Sequence, residues 1–78
     1  MTFRQRLAGA RVLVAGAGVT GPPVAEALLA LGAVVTVTDA DAGRLRTVAE
    51  SLPGLRPAHD LRTPPPDTAL VVTAPGWR

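Results

Sequence analysis

Three glycines, Gly16, Gly18 and Gly21, stand in G-x-G-x-x-G spacing directly after the apolar run Arg11-Val-Leu-Val-Ala15. An acid, Asp39, follows at roughly the 20-residue separation seen in dinucleotide-binding turns. The chemistry such a set performs is anion binding. The first glycine makes the tight turn, the second lets backbone approach a diphosphate, and the third lets a helix pack closely on a strand. The helix that starts there adds N–H groups without internal partners and the positive end of its dipole. Asp39 would accept hydrogen bonds from a ribose hydroxyl or a base N–H, or else cap the next helix. Thr20 has a hydroxyl to offer a phosphate or, equally, the helix start.

Other residue types exclude more than they offer. The chain has no cysteine, so it holds no disulfide or thiolate metal site, and its one histidine, His59, cannot build a metal site alone. His59 reads as a solvated loop residue without a partner. No lysine occurs anywhere in the chain. A phosphate loop of the G-x-x-x-x-G-K-[ST] type is therefore impossible, and ATP-driven chemistry is not expected here. Trp77 reads as a turn residue packed on its neighbours. The arginines, Arg44 and Arg46 among them, are scattered and read as solvated faces, with no patch for nucleic acid. We expect no catalytic residue and no metal ligand set.

The elements that must position the glycine turn follow from periodicity. Arg11–Ala15 reads as a buried parallel strand. Val24, Ala27, Leu28 and Leu31 recur at helical spacing, and Gly32 supplies the stop. The β-branched run 33–38 predicts the second strand, closing on Asp39. A second helix is predicted over about 42–51, with Asp41 as N-cap and Leu45, Val48, Ala49 and Leu52 inward. Residues 55–58 predict a short third strand, confined to an edge by Pro57. Residues 59–68, with Pro64-Pro65-Pro66, read as a stiff loop or a degraded helix, and 69–73 as the last strand.

The order β-α-β-α-β-(loop)-β defines an α/β chain: an incomplete, Rossmann-like parallel sheet. Pro22 and Pro23 refine its first corner. A helix beginning at Gly18 would need the N–H that Pro22 lacks. A start near Thr20 puts both prolines in the first turn, where no internal N–H bond is due. That leaves Gly18, Val19, Thr20 and Gly21 as the anion donors.

Bulk composition sets the limits. The chain has 78 residues, 47% hydrophobic and 18% charged, with a net charge of +2. One small domain of this size buries only about 60% of its unfolded surface. With one Phe, one Trp and no Tyr, Val, Leu and Ala must fill the core, and stability in isolation is expected to be marginal. No apolar run is long enough to span a bilayer or serve as a signal peptide, so a cytoplasmic location without membrane contact is the default. The chain stops directly after a strand, which leaves an apolar edge, and it reads as a truncated piece of a longer protein.

Three segments carry a resemblance to a known family: Val12-Leu-Val-Ala-Gly-Ala-Gly-Val-Thr-Gly21, Leu29-Ala-Leu-Gly-Ala-Val-Val-Thr-Val-Thr-Asp39 and Ala69-Leu-Val-Val-Thr-Ala-Pro-Gly-Trp-Arg78. Together they resemble the N-terminal domain of the Mur ligases, most of all the branch that adds D-glutamate to the peptidoglycan precursor. The Pro-Gly turn after the last strand separates the pattern from ordinary NAD-binding proteins. The resemblance implies that residues 1–78 hold the UDP end of UDP-N-acetylmuramoyl-L-alanine. Val19 and Thr20 would meet the diphosphate, and Asp39 with Ala40 the uracil side. The residue before the Pro-Gly turn is usually a serine in that family; here it is Ala74, with Thr73 beside it as a substitute hydroxyl. The resemblance also implies a parent that uses ATP, Mg²⁺ and D-glutamate through domains absent from this chain. The alternative from the residues alone is an NAD(P)-binding module of an oxidoreductase or a ligand-sensing domain.

Overall fold

The computed structural model describes residues 3–18 and 20–73. Its elements are α1 (Phe3–Leu7), β1 (Arg11–Ala15), α2 (Gly21–Ala30), β2 (Val34–Asp39), α3 (Ala42–Ser51), β3 (Arg56–His59) and β4 (Leu70–Thr73). The four strands form one sheet in the order β3-β2-β1-β4, and every pairing is parallel. This is the α/β, Rossmann-like partial sheet predicted from the sequence.

Parallel strands need crossovers, and the right-handed rule puts both helical ones on one face, because β1, β2 and β3 step in a single direction. That face is the core. Val12, Val14, Val35 and Val37 from the sheet meet Ala25 and Leu28 of α2 and Leu45 and Val48 of α3. Each fully buried Val or Leu contributes roughly 1.5 kcal/mol or more. The chain returns from β3 to β4 across the other face, where Leu13 and Thr38 are buried beneath Leu61 and Pro64.

Local chemistry explains the element ends. Gly32 at φ +86° closes α2. Its N–H donates to the Leu29 carbonyl and that of Ala33 to Leu28, which is a Schellman close. Pro57 lies on the edge strand β3, opposite Val37, where a missing N–H does least harm. In the return segment, Asp60 and Asp67 adopt positive φ, which aspartate tolerates better than most residues. The segment contains no helix, so the stiff-loop reading is the right one of the two.

Three expectations need correction. The sequence reading had no counterpart of α1, yet its Leu7 joins the core, and the Gly9 N–H donates to Gly32 at the end of α2. On α2 the buried alanine is Ala25, whereas Ala27 is exposed. Finally, His59 ends β3 instead of standing in the loop.

Candidate functional site

The strands run parallel, so their carboxyl ends share one edge of the sheet. In open α/β sheets ligands sit outside that edge, where the strand order reverses. Here the reversal lies between β1 and β4, with Ala15 and Thr73 as register partners at the mouth. Thr73 is exposed there; Ala74, Trp77 and Val19 lie outside the described residues.

The glycine turn is built by two constraints. Gly16 has φ +110°, a region that side chains rarely adopt, and its N–H donates to the Thr38 carbonyl at 2.8 Å. A Cβ on Gly21 would stand 1.9 Å from the Gly16 carbonyl oxygen. Only glycine lets α2 begin so close to the turn. Gly18 differs. Among the described residues a Cβ there would meet only the Arg44 guanidinium, at 3.9 Å. The fold does not require its bareness, which leaves room for a ligand.

The two prolines act as their chemistry predicts. The first-turn position of both and the start of α2 at Gly21, after the N-cap Thr20, follow the late start predicted from their missing N–H groups. The Thr20 hydroxyl makes no cap hydrogen bond, because the residues that would donate to it are Pro22 and Pro23. The first internal bond of the helix runs from the Val24 N–H to the Thr20 carbonyl at 3.4 Å. The N–H groups of Gly18, Thr20 and Gly21 precede it.

Asp39 is buried at 7% exposure and spans two turns. Its Oδ2 accepts the Ala17 N–H at 2.8 Å, and Oδ1 accepts the Asp41 N–H at 2.8 Å. The carboxylate thus ties the glycine turn to the end of β2. Arg44 stands beside it, Nη1 3.7 Å from Oδ2. Burial pushes the Asp39 carboxyl up. The N–H groups of Ala17 and Asp41, the Arg44 charge and the Ala40 N–H together pull it down further, so it stays below its ordinary value. The cap of α3 is Asp41, whose Oδ1 accepts the Arg44 N–H at 3.0 Å. Asp39 therefore does not serve as that cap.

Two residues acquire partners that the sequence did not suggest. His59 Nε2 lies 2.9 Å from the Ala40 carbonyl, an arrangement that needs the proton on Nε2. It braces the residue next to Asp39 from the neighbouring strand. Arg44 is not merely a solvated face, since its guanidinium lies against the Asp39 carboxylate. Buried Thr38 also escaped the sequence reading; its Oγ1 accepts the Leu61 N–H at 2.8 Å and pins the return segment. A threonine in a β-branched strand gives no advance sign of such a bond.

Among the described residues no group of three or more His, Cys, Asp or Glu gathers to hold a metal ion. No helix there is long and apolar enough to cross a membrane.

The fold and this corner define a Rossmann-type α/β class. Residues 4–64 match the family model described as "Alanine dehydrogenase/PNT, C-terminal domain", and the chain belongs to that family. Its sequence is similar to UDP-N-acetylmuramoylalanine–D-glutamate ligases. It is 51% identical to that of Thermobifida fusca over 92% of this chain and 49% identical to that of Streptomyces coelicolor over 90%. It is 48% identical to that of Rhodococcus jostii over 92%. The chain spans 16%, 16% and 15% of the lengths of these three relatives. The resemblance to the Mur ligases drawn from its residues holds.

Proposed function

We propose that this chain holds the UDP end of UDP-N-acetylmuramoyl-L-alanine, as part of an ATP-dependent ligase that adds D-glutamate in peptidoglycan synthesis. In this reading Gly16, Gly18, Val19, Thr20 and Gly21 cradle the diphosphate. Asp39 and Ala40 face the uracil, Thr73 stands at the far side of the crevice, and Ala74 is a substrate-binding position by the resemblance. The observation that carries it is the glycine turn fastened to the end of β2 through Asp39. That bond holds the N–H groups of the turn in one orientation before any ligand arrives, so little ordering cost remains for binding.

The choice of ligand rests on the relatives. Their names specify a UDP-linked muramoyl substrate and D-glutamate. The NAD(P)-binding alternative is not favoured, because identity of 42–51% to such ligases covers about nine-tenths of the chain. ATP and Mg²⁺ belong to other parts of the parent in this proposal, and no step through them is assigned to the residues of this chain.

A thermal-shift comparison tests the reading. A ligand bound only by the folded chain stabilises it by about 2.7 kcal/mol at a hundred times its dissociation constant. The melting temperature should rise with UDP-N-acetylmuramoyl-L-alanine and not with NAD at equal concentration. Equal shifts, or a larger one with NAD, would contradict the proposal.

A further inference from the structure

The cation beside the glycine turn is placed where helix physics disfavours it. Arg44 is the third residue of α3, in a first turn that contains no acid. The positive end of a helix dipole repels a cation there by some tenths of a kcal/mol to about 1 kcal/mol. A capping box would put Glu or Gln at this position.

Its guanidinium does not turn away into solvent. Nη1 reaches 3.7 Å from Asp39 Oδ2 and stands 3.9 Å from the point where a side chain on Gly18 would begin. Asp39 does not use up the donors of Arg44, because at 3.7 Å the two form an ion pair and not a hydrogen bond. The Arg44 side chain is 53% exposed. It is a forked donor held over the glycine turn and open to the mouth of the site.

Three other arginines lie elsewhere or are already paired. Arg11 and Arg56 begin β1 and β3, at the opposite end of the sheet. Arg62 is paired with Asp60 at 3.2 Å. In a chain without lysine, Arg44 is the cation at hand.

Building on the nucleotide reading above, we propose that Arg44 is a specificity-determining residue that donates to the diphosphate of the bound nucleotide. A guanidinium suits this task because its planar fork matches two phosphate oxygens at once. The ion pair with Asp39 keeps the guanidinium beside the glycine turn. The contact distinguishes a nucleoside diphosphate from the bare nucleoside, which presents no charge to Arg44.

The test is an NMR amide titration of the 78-residue chain with UDP and separately with uridine, a method that follows millimolar binding. Arg44→Gln should weaken UDP binding by about tenfold to a hundredfold, the range for a lost charge-assisted hydrogen bond. Uridine binding should stay as it was. Arg44→Lys should recover part of the loss, since it restores charge without the fork. The same spectra show whether each variant is folded. Unchanged UDP affinity in Arg44→Gln overturns the role of Arg44 while leaving the nucleotide site standing. Equal losses for UDP and uridine overturn it too, in favour of an indirect effect through Asp39. If the unaltered chain binds neither ligand, the nucleotide reading itself fails and this proposal falls with it.

Discussion

Two βα corners share the carboxyl edge of the sheet, and they finish their helices in opposite ways. The β2–α3 corner is closed on itself: Asp41 in an extended conformation accepts the Arg44 N–H, as a good N-cap does. The β1–α2 corner is left open. Its cap residue Thr20 is already helical in φ and ψ and makes no side-chain cap bond, and two prolines fill the first turn. A corner capped in this way has fewer main-chain donors to give a ligand. The open corner spends its Gly16 and Ala17 N–H groups on Thr38 and Asp39, which hold it in shape, and its helix start carries no side-chain cap. Under the proposed function the difference is one between stability and binding, divided over adjacent turns.

Substitutions at matching positions break or sharpen this comparison. The largest effect is expected from Gly21→Ala, whose Cβ would collide with the Gly16 carbonyl oxygen at 1.9 Å. Neither group is a flexible side chain that gives way, so the loss should reach about 3 kcal/mol or more. In so small a domain that abolishes the cooperative melt seen by circular dichroism.

Asp39→Asn comes next. An amide has one acceptor oxygen where the carboxylate has two, so the Ala17 or the Asp41 N–H loses its partner. We expect a loss of about 1.5–3 kcal/mol in urea unfolding at neutral pH. The pH dependence checks the cause. The Asp39 carboxyl is held below its ordinary value of 3.8 in the fold, so in acid the unfolded chain binds the proton first. Its stabilisation is complete above that ordinary value and is lost as pH falls through the lower folded one. Asp39→Asn should flatten that acid limb of the stability curve.

The caps give the direct contrast. Asp41→Ala should cost about 1 kcal/mol, the usual value for a lost N-cap. Thr20→Ala should change stability by less than about 0.5 kcal/mol, because there is no cap bond to lose. Its effect should appear in UDP affinity instead. A small effect of opposite sign is expected from Gly43→Ala on α3, where the new methyl meets Asp41 Oδ1 at 3.4 Å. It should stabilise by roughly 0.5 kcal/mol through reduced freedom of the unfolded chain.

Much of this was legible in the residues, and the reasons are specific. The late start of α2 follows from proline's missing N–H, a covalent fact that tertiary context cannot alter. Asp41 and the bounds of α3 follow from a cap residue set before a helical apolar spacing. What stayed hidden depends on contacts between distant segments. Helix α1 has five residues, too few to show a period. Ala25 and Ala27 look alike in a helix rich in alanine, and only the angle of α2 on the sheet decides which is buried. The partners of Asp39, His59 and Arg44 come from separate strands and turns brought together at one edge, which spacing along the chain does not encode.

On this reading the diphosphate rests on the main-chain N–H groups of the open corner, and the capped corner contributes side chains only. Backbone amide shifts on titration with UDP test it most directly. The largest shifts are expected on Gly18, Thr20 and Gly21, with small ones at Thr47, Val48 and Ala49 farther along the capped helix. Shifts centred on the capped corner, or spread evenly along the chain, would contradict it.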